Sequence, residues 1–164
     1  MRVLGIDPGS TVTGYGVVEA RGSEVALVAS GTIEAPRRDP LPQRLKRIHD
    51  SLLIVIDRWA PDQMAVEGLF FAQNPRSTLA LGQTRGVVLL GAATAELAVF
   101  EYSPMEVKQA VVGFGRATKE QVQEMVRRLL GLRAPVPADA SDALGVALCH
   151  LQTCRLAERL RGAR

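Results

Sequence analysis

Two short apolar runs, each ending in a carboxylate, limit the folds open to this chain. VLGID (3–7) ends at Asp7, and QMAVE (63–67) ends at Glu67 just before a glycine. A run that is apolar throughout, rather than at alternate positions, is typical of a strand covered on both faces. Ligands of such sheets bind at the carboxyl ends of the strands. We therefore expect two buried strands of one sheet, with Asp7 and Glu67 at the edge where ligands bind.

Three further strands are predicted around these two. The turn-forming stretch PGSTVTG (8–14) separates the first run from YGVVEA (15–20) and EVALVASGTIEA (24–35), which predict an antiparallel meander. AVFEYS (98–103) predicts the fifth strand. Helical segments separate the later strands and follow the last one. This order predicts an α/β fold: a mixed five-stranded sheet, with a three-strand antiparallel meander plus two parallel strands, flanked by helices on both faces.

Helix boundaries carry local signals. Asp39 is predicted to cap the first helix, with Pro40 at its first position, and Asn74-Pro75 is predicted to begin the second. Two capping boxes, a Ser or Thr followed three residues later by Glu or Gln, begin the next two helices: Ser103 with Glu106, and Thr118 with Gln121. A last helix is predicted from about residue 138 to about residue 160.

Composition favours one globular domain over residues 1–164, whose last few residues form a flexible basic tail. Of the 164 residues, 47% are hydrophobic, enough for a real core. The nearly uncharged stretch 86–95 is too short to span a bilayer, and no apolar signal segment begins the chain. Cys149 and Cys154 fall on different faces of one predicted helix, which argues against a disulfide. We expect a cytoplasmic protein with no membrane partner.

Basic residues permit a polyanionic partner. The formal net charge is +3 and the pI is about 9.2, which is only mildly basic. The three lysines, Lys46, Lys108 and Lys119, are conspicuous in a chain that otherwise uses arginine. In the stretch GFGRAT (113–118), two glycines and Arg116 suit a loop that touches phosphate, although an ordinary helix connection fits equally well.

Four carboxylates are predicted to meet at one end of the sheet. Asp139 and Asp142 lie three apart at the start of the last helix, so both can face the same way as Asp7 and Glu67. Singly, each could be a turn residue, a solvated strand end or a helix-terminus charge. Together they would repel one another unless a cation lay between them. Oxygen ligands favour Mg²⁺ or Mn²⁺, and two such ions about 3.5–4 Å apart can hydrolyse a phosphodiester.

Long stretches of the chain resemble one known family, the RuvC-type Holliday-junction resolvases. The matching stretches are GIDPGSTVTGYGVV, AVEGLFFAQNPRSTLALGQTRG, YSPMEVKQAVVGFGRATKEQV and ADASDALGVALCH. The resemblance implies a ribonuclease H-like fold and a homodimer in which each subunit nicks one strand of a four-way DNA junction. It also implies a role in homologous recombination and repair, a branch-migration helicase partner of the RuvA–RuvB type, and Mg²⁺, about two ions per subunit, with Mn²⁺ able to substitute.

The resemblance also assigns roles to single residues. The catalytic, metal-binding tetrad falls on the four carboxylates, Asp7, Glu67, Asp139 and Asp142. The aromatic residue that stacks on a junction base corresponds to Phe70, although Phe70 or its neighbour Phe71 could instead pack on the next helix. Basic residues near the scissile phosphate fall on Lys108 and on Lys119, which is also a candidate catalytic residue. We add Arg76 and Arg116 as candidate DNA contacts.

Other functions remain open at this point. GIDPGSTVTGYGVV also resembles the first phosphate loop of actin-like and sugar-kinase ATPases, but those need a second domain that 164 residues hardly accommodate. A non-catalytic nucleic-acid-binding module would have no use for four mutually repelling acids. A relative that trims RNA ends shares the start of the chain but matches VKQA and DASDAL less well.

Overall fold

The computed structural model describes residues 1–68 and 75–162. Its sheet has the strand order β3-β2-β1-β4-β5. The strands are β1 (Arg2–Asp7), β2 (Val12–Arg21), β3 (Glu24–Glu34), β4 (Gln63–Glu67) and β5 (Ala98–Tyr102). β1, β2 and β3 pair antiparallel, whereas β4 pairs parallel with both β1 and β5. The predicted mixed five-stranded sheet is confirmed.

Helices cover both faces of this sheet. They are α1 (Leu41–Trp59), α2 (Pro75–Thr94), α3 (Pro104–Val112), α4 (Lys119–Leu129) and α5 (Ala138–Gly162). Because neighbouring strand residues point to opposite faces, Val3 joins a core with α3, α4 and α5, while Leu4 joins a second core with α1 and α2. Of the helices that the structure describes, none is long and apolar enough to cross a bilayer.

Glycines on β1 and β2 let α5 lie directly against the sheet. A Cβ atom added to Gly5 would lie 2.0 Å from the carbonyl oxygen of Ala143, and one added to Gly16 would lie 2.6 Å from the Leu144 side chain. Gly5 and Gly16 are partners in the β1–β2 register. Only glycine permits this approach, because any larger residue at either position would push the helix away. The position of α5 therefore depends on backbone packed against backbone at Gly5 and on the Leu144 side chain packed against the backbone at Gly16.

The helix starts agree with the local signals except at α1. α2 and α5 begin at the predicted Pro75 and Ala138, although the predicted cap residue Asn74 lies outside the described residues. The capping boxes of α3 and α4 are both formed, with Ser103 and Thr118 accepting hydrogen bonds from the backbone three residues on.

The prediction that Asp39 caps α1 is wrong. Pro40 is the N-cap residue and makes no side-chain cap bond. Because the helix begins one residue later than predicted, Asp39 lies outside the cap position, and its carboxylate pairs with Arg47, 3.2 Å away.

The two cysteines lie on α5, where both are free thiols. Cys149 is buried and Cys154 is partly exposed. Burial raises the pKa of the Cys149 thiol to about 12, which leaves it protonated and unreactive at neutral pH.

Candidate active site

The carboxyl ends of β1 and β4 lie side by side. The parallel register pairs Ile6 with Val66, so the next residues of the two strands are Asp7 and Glu67. On its other side, Asp7 is paired with Gly14 of β2. A Cβ atom on Gly14 would lie only 2.0 Å from the carbonyl oxygen of Asp139, so the start of α5 rests on this end of the sheet. The fold thus brings three separate chain segments with carboxylates to one place.

Asp7 is the most strongly perturbed of these acids. Burial is the largest cause, followed by the negative charges of Glu67, Asp142 and Asp139, and together they raise the pKa of Asp7 from 3.8 to about 7. The charge of Lys119 lowers it in part. A carboxylate that repels three others and is largely removed from water is unstable without a cation nearby. A strongly shifted pKa caused by specific neighbours is characteristic of functional sites.

Glu67 lines a cavity of about 300 Å³ beside these acids. The cavity is lined by two acids, two lysines and three smaller apolar residues: Glu67, Asp142, Lys108, Lys119, Pro104, Val107 and Val122. Burial first, and then the charge of Asp142, raise the pKa of Glu67, whereas the two lysines lower it. The cavity wall therefore carries both charge signs, which suits a phosphate group approaching bound cations.

Lys119 makes a direct ion pair inside the site. Its Nζ lies 2.6 Å from Oδ2 of Asp142, and this hydrogen bond is the main reason why the pKa of Lys119 is raised. The capping box of Thr118 fixes the first turn of α4, so Lys119 leaves the helix in a defined direction. Its side chain remains 55% exposed. The lysine therefore balances the carboxylates while staying accessible to an incoming anion.

The donor set fits Mg²⁺ better than a softer metal. In the described residues, 1–68 and 75–162, no group of three or more His, Cys, Asp or Glu side chains is arranged to hold a metal ion. The negative charges of Glu67, Asp142 and Asp139 nevertheless lie close enough to raise the pKa of Asp7, and that of Asp142 raises the pKa of Glu67. They come from two strands and a helix, and supply hard oxygen ligands without a thiolate or imidazole. Displacing Lys119 from Asp142 would free a further oxygen for a cation.

The structure describes the remaining candidate DNA contacts to different extents. Phe70 lies outside the described residues, and so does its neighbour Phe71. Arg76 belongs to the first turn of α2, but its side chain also lies outside what the structure describes. Arg116 is exposed in the connection between α3 and α4 and lines a groove of about 930 Å³ beside α5, separate from the cavity that Glu67 lines. Its role in DNA binding remains a prediction.

Sequence reasoning missed one residue that touches this edge of the sheet. Arg85 of α2 is only 8% exposed, and its Nη1 donates to the carbonyl oxygen of Glu67 at 2.6 Å. A signal was present in the sequence. Arg85 is the only charge in the stretch from Leu79 to Ala95, among Gly, Ala, Leu and Val, and a buried arginine in such a helix requires a partner.

Comparison with known proteins identifies the family. The family model for crossover junction endodeoxyribonuclease RuvC matches residues 3–150. The chain belongs to the RuvC family. Among curated RuvC proteins, those of Ralstonia pickettii (strain 12J) and Burkholderia mallei (strain NCTC 10247) are each 53% identical to it over 150 residues, which is 92% of this chain and 83% of theirs. The expected resemblance is confirmed, and RuvC membership disfavours an ATPase fragment or an idle binding module.

Solved RuvC structures agree with this fold. Thermus thermophilus RuvC in complex with a Holliday junction substrate superposes with a TM-score of 0.91 at 40% identity, covering 96% of both chains. A yeast mitochondrial Holliday junction resolvase superposes with a TM-score of 0.61 at 14% identity, covering 90% of this chain and 77% of its own, and shows the shared fold alone. The chain is thus a RuvC-family endodeoxyribonuclease of ribonuclease H-like fold.

Proposed function

We propose that this protein resolves four-way DNA junctions, as a homodimer in which each subunit hydrolyses one phosphodiester bond at its carboxylate cluster. The observation that carries the proposal is Asp7. It is largely buried among three other acids, with a pKa of about 7, at the strand end where ligands of such sheets bind. The charge repulsion around Asp7 does not stabilise the fold. It is best explained by cations and a phosphate that bind at this site.

Each charged residue then has a task. We assign the four carboxylates, Asp7, Glu67, Asp139 and Asp142, to binding Mg²⁺. When bound, two Mg²⁺ ions, for which Mn²⁺ can substitute, supply an activated water and neutralise the leaving oxygen. Lys119 exchanges Asp142 for a phosphate oxygen and holds its positive charge where negative charge develops in the transition state. Lys108, on the same cavity wall, orients the phosphate backbone.

Aromatic and basic residues around the cluster complete the proposed junction contacts. Phe70 follows β4 by three residues, so it can stack on a base exposed at the crossover, which is worth about 1–3 kcal/mol. Arg76 and Arg116 are proposed to contact the phosphate backbone. Backbone contacts supply most of the affinity, whereas stacking holds the opened crossover in the geometry that the site requires.

The outer face of α2 supports the proposed dimer. Leu79 and Leu90 are 65% and 59% exposed, and Gly82 and Gly86 lie between them on the same face of the helix. A Cβ atom at either glycine would meet nothing within 4 Å, so neither is needed for packing inside this chain. Two copies of α2 could therefore approach closely across a two-fold axis. A two-fold dimer matches a junction that is itself nearly two-fold, which leads to paired symmetric nicks.

Family membership supports the cellular setting that we propose. The protein acts in homologous recombination and DNA repair in the cytoplasm, together with a branch-migration helicase complex of the RuvA–RuvB type. The same membership favours resolution of junctions over the trimming of RNA ends.

The experiment compares a labelled four-way junction with a linear duplex of the same sequence, with Mg²⁺ and with EDTA. The wild type is expected to cut only the junction, at symmetric positions, and only with Mg²⁺. Asp142→Asn should lose cleavage but keep or improve junction binding, because it removes one charge that repels DNA. Asp57→Asn, the same chemical change at an exposed position on α1, is the matched control. Near wild-type cleavage by Asp142→Asn would refute the assignment of the site.

A further inference from the structure

Arg85 joins α2 to the strand end that carries Glu67. Its side chain is 9% exposed, and its guanidinium makes two contacts with different strands. Nη1 donates to the carbonyl oxygen of Glu67 at 2.6 Å, and Nη2 lies 2.5 Å from Oε2 of Glu101 on β5. The Glu101 side chain is 56% exposed, so its ion pair with Arg85 is open to water.

The sheet itself leaves the Glu67 carbonyl without a partner. Met1 exchanges backbone hydrogen bonds with Ala20 of β2, so even-numbered residues of β1 direct their backbone groups toward β4. Extending the β1–β4 register beyond Ile6 and Val66 places residue 8 opposite the carbonyl of Glu67. That residue is Pro8, which has no N–H to donate. The guanidinium of Arg85 supplies the missing donor.

The peptide that follows Glu67 is thereby held from both sides. The N–H of Gly68 donates to the carbonyl oxygen of Tyr102 on β5 at 2.7 Å. The carbonyl of the same peptide points the opposite way and accepts from Arg85. Without Arg85, this peptide would be tied only to β5 and could tilt, and the tilt would move the Glu67 side chain relative to Asp7. A displacement of about 1 Å in a catalytic group can lower a rate about a hundredfold.

We infer that Arg85 is a positioning residue, which completes the β1–β4 ladder at Pro8 and thereby fixes the Glu67 carboxylate against Asp7. This inference rests on the proposed function, because it assumes that Glu67 serves the reaction. It assigns to α2 a second task besides the proposed dimer contact. The same helix holds the strand end of the active site in place.

The test compares Arg85→Met, which fills similar space without donors, with Glu101→Gln, which removes the ion pair but keeps the bond to the carbonyl. Arg85→Met is expected to lower kcat on a four-way junction by about tenfold to a hundredfold. It should also weaken the Mg²⁺-induced rise in Tm, with junction affinity in EDTA changed by less than about threefold. Glu101→Gln should stay within about threefold of the wild type in all three measurements. Wild-type kcat in Arg85→Met, or an equal loss in Glu101→Gln, would overturn the inference.

Two further variants keep the test decisive. If Arg85→Met does not fold, Arg85→Leu is measured in the same way with the same expectation, because its apolar side chain also has no donor for the Glu67 carbonyl. Pro8→Ala restores a backbone N–H opposite the Glu67 carbonyl. Adding Pro8→Ala to the Arg85 variant should therefore raise its kcat several-fold. No recovery would overturn the inference. Glu67→Gln separates the two hypotheses. If Glu67→Gln cleaves junctions like the wild type, the proposed function is wrong. If Glu67→Gln is inactive and Arg85→Met is fully active, only the role of Arg85 is refuted.

Discussion

Asp7→Asn should stabilise the metal-free protein, by an amount that follows from the pKa of Asp7. Because that pKa is about 7 in the folded protein and 3.8 in an exposed carboxyl, the folded state holds the proton more tightly. The associated stability is complete below about pH 4 and is lost as the pH rises through 7. Each pKa unit corresponds to 1.36 kcal/mol, so the full loss over the difference between 3.8 and about 7 is about 4 kcal/mol. Asparagine resembles the protonated acid and avoids this loss.

The expected gain is therefore about 2–4 kcal/mol at pH 8, and no more than about 2 kcal/mol at pH 5, where wild-type Asp7 is already protonated in the folded state. The assay is urea unfolding of both proteins in EDTA at the two pH values, with Asp57→Asn on the exposed face of α1 as the control. A gain that is the same at pH 5 and pH 8, or a loss of stability at pH 8, would refute the reasoning.

Mg²⁺ should reduce the difference in stability between the two proteins. At a tenfold excess of Mg²⁺ over its dissociation constant, the wild type should gain about 1.4 kcal/mol, and Asp7→Asn should lose most of that gain. The measurement is repeated at constant ionic strength, first without DNA and then with an uncleavable junction that adds phosphate ligands. If both proteins respond equally to Mg²⁺ in the presence of that junction, Asp7 is not a ligand.

Three other results are expected. The Mg²⁺ concentration for half-maximal cleavage should rise about tenfold from pH 8 to pH 6, because protons compete for Asp7, whose pKa is about 7; a pH-independent requirement would contradict this. Lys119→Ala should lower kcat at saturating junction, whereas Lys46→Ala, which breaks an exposed ion pair on α1, should not; a change in affinity alone would make Lys119 a simple DNA contact. Phe70→Ala should reduce cleavage more than affinity, and unchanged cleavage would shift the stacking role to Phe71.

Local patterns in the sequence were sufficient for much of the architecture. The continuous apolar runs ending at Asp7 and Glu67 predicted two buried strands, because a strand covered on both faces has no polar side to expose. The capping boxes of Ser103 and Thr118 predicted the starts of α3 and α4, since a cap bond joins residues only three apart. The same local logic was wrong for Asp39, whose carboxylate bonds Arg47, eight residues on.

The arrangement of charges within the site depended on tertiary packing. The sequence indicated that four carboxylates would meet, but the pKa of Asp7 depends on how deeply the strand end is buried and on how close α5 comes. Gly14 sets that approach, because the carbonyl of Asp139 occupies the space that a Cβ atom would need. Lys119 was expected to reach a phosphate, and in the folded chain its Nζ binds Asp142.

Arg85 shows most clearly what the sequence alone could not decide. Its partner, the carbonyl of Glu67, lies 18 residues earlier in the chain, and that carbonyl needs a side-chain donor only because Pro8 faces it across the β1–β4 register. The sequence determines the types of residue and the elements they form, since propensities, caps and periodicity act over a few residues. Which donor meets which acceptor across the sheet depends on strand register and helix placement, which arise only when the core packs.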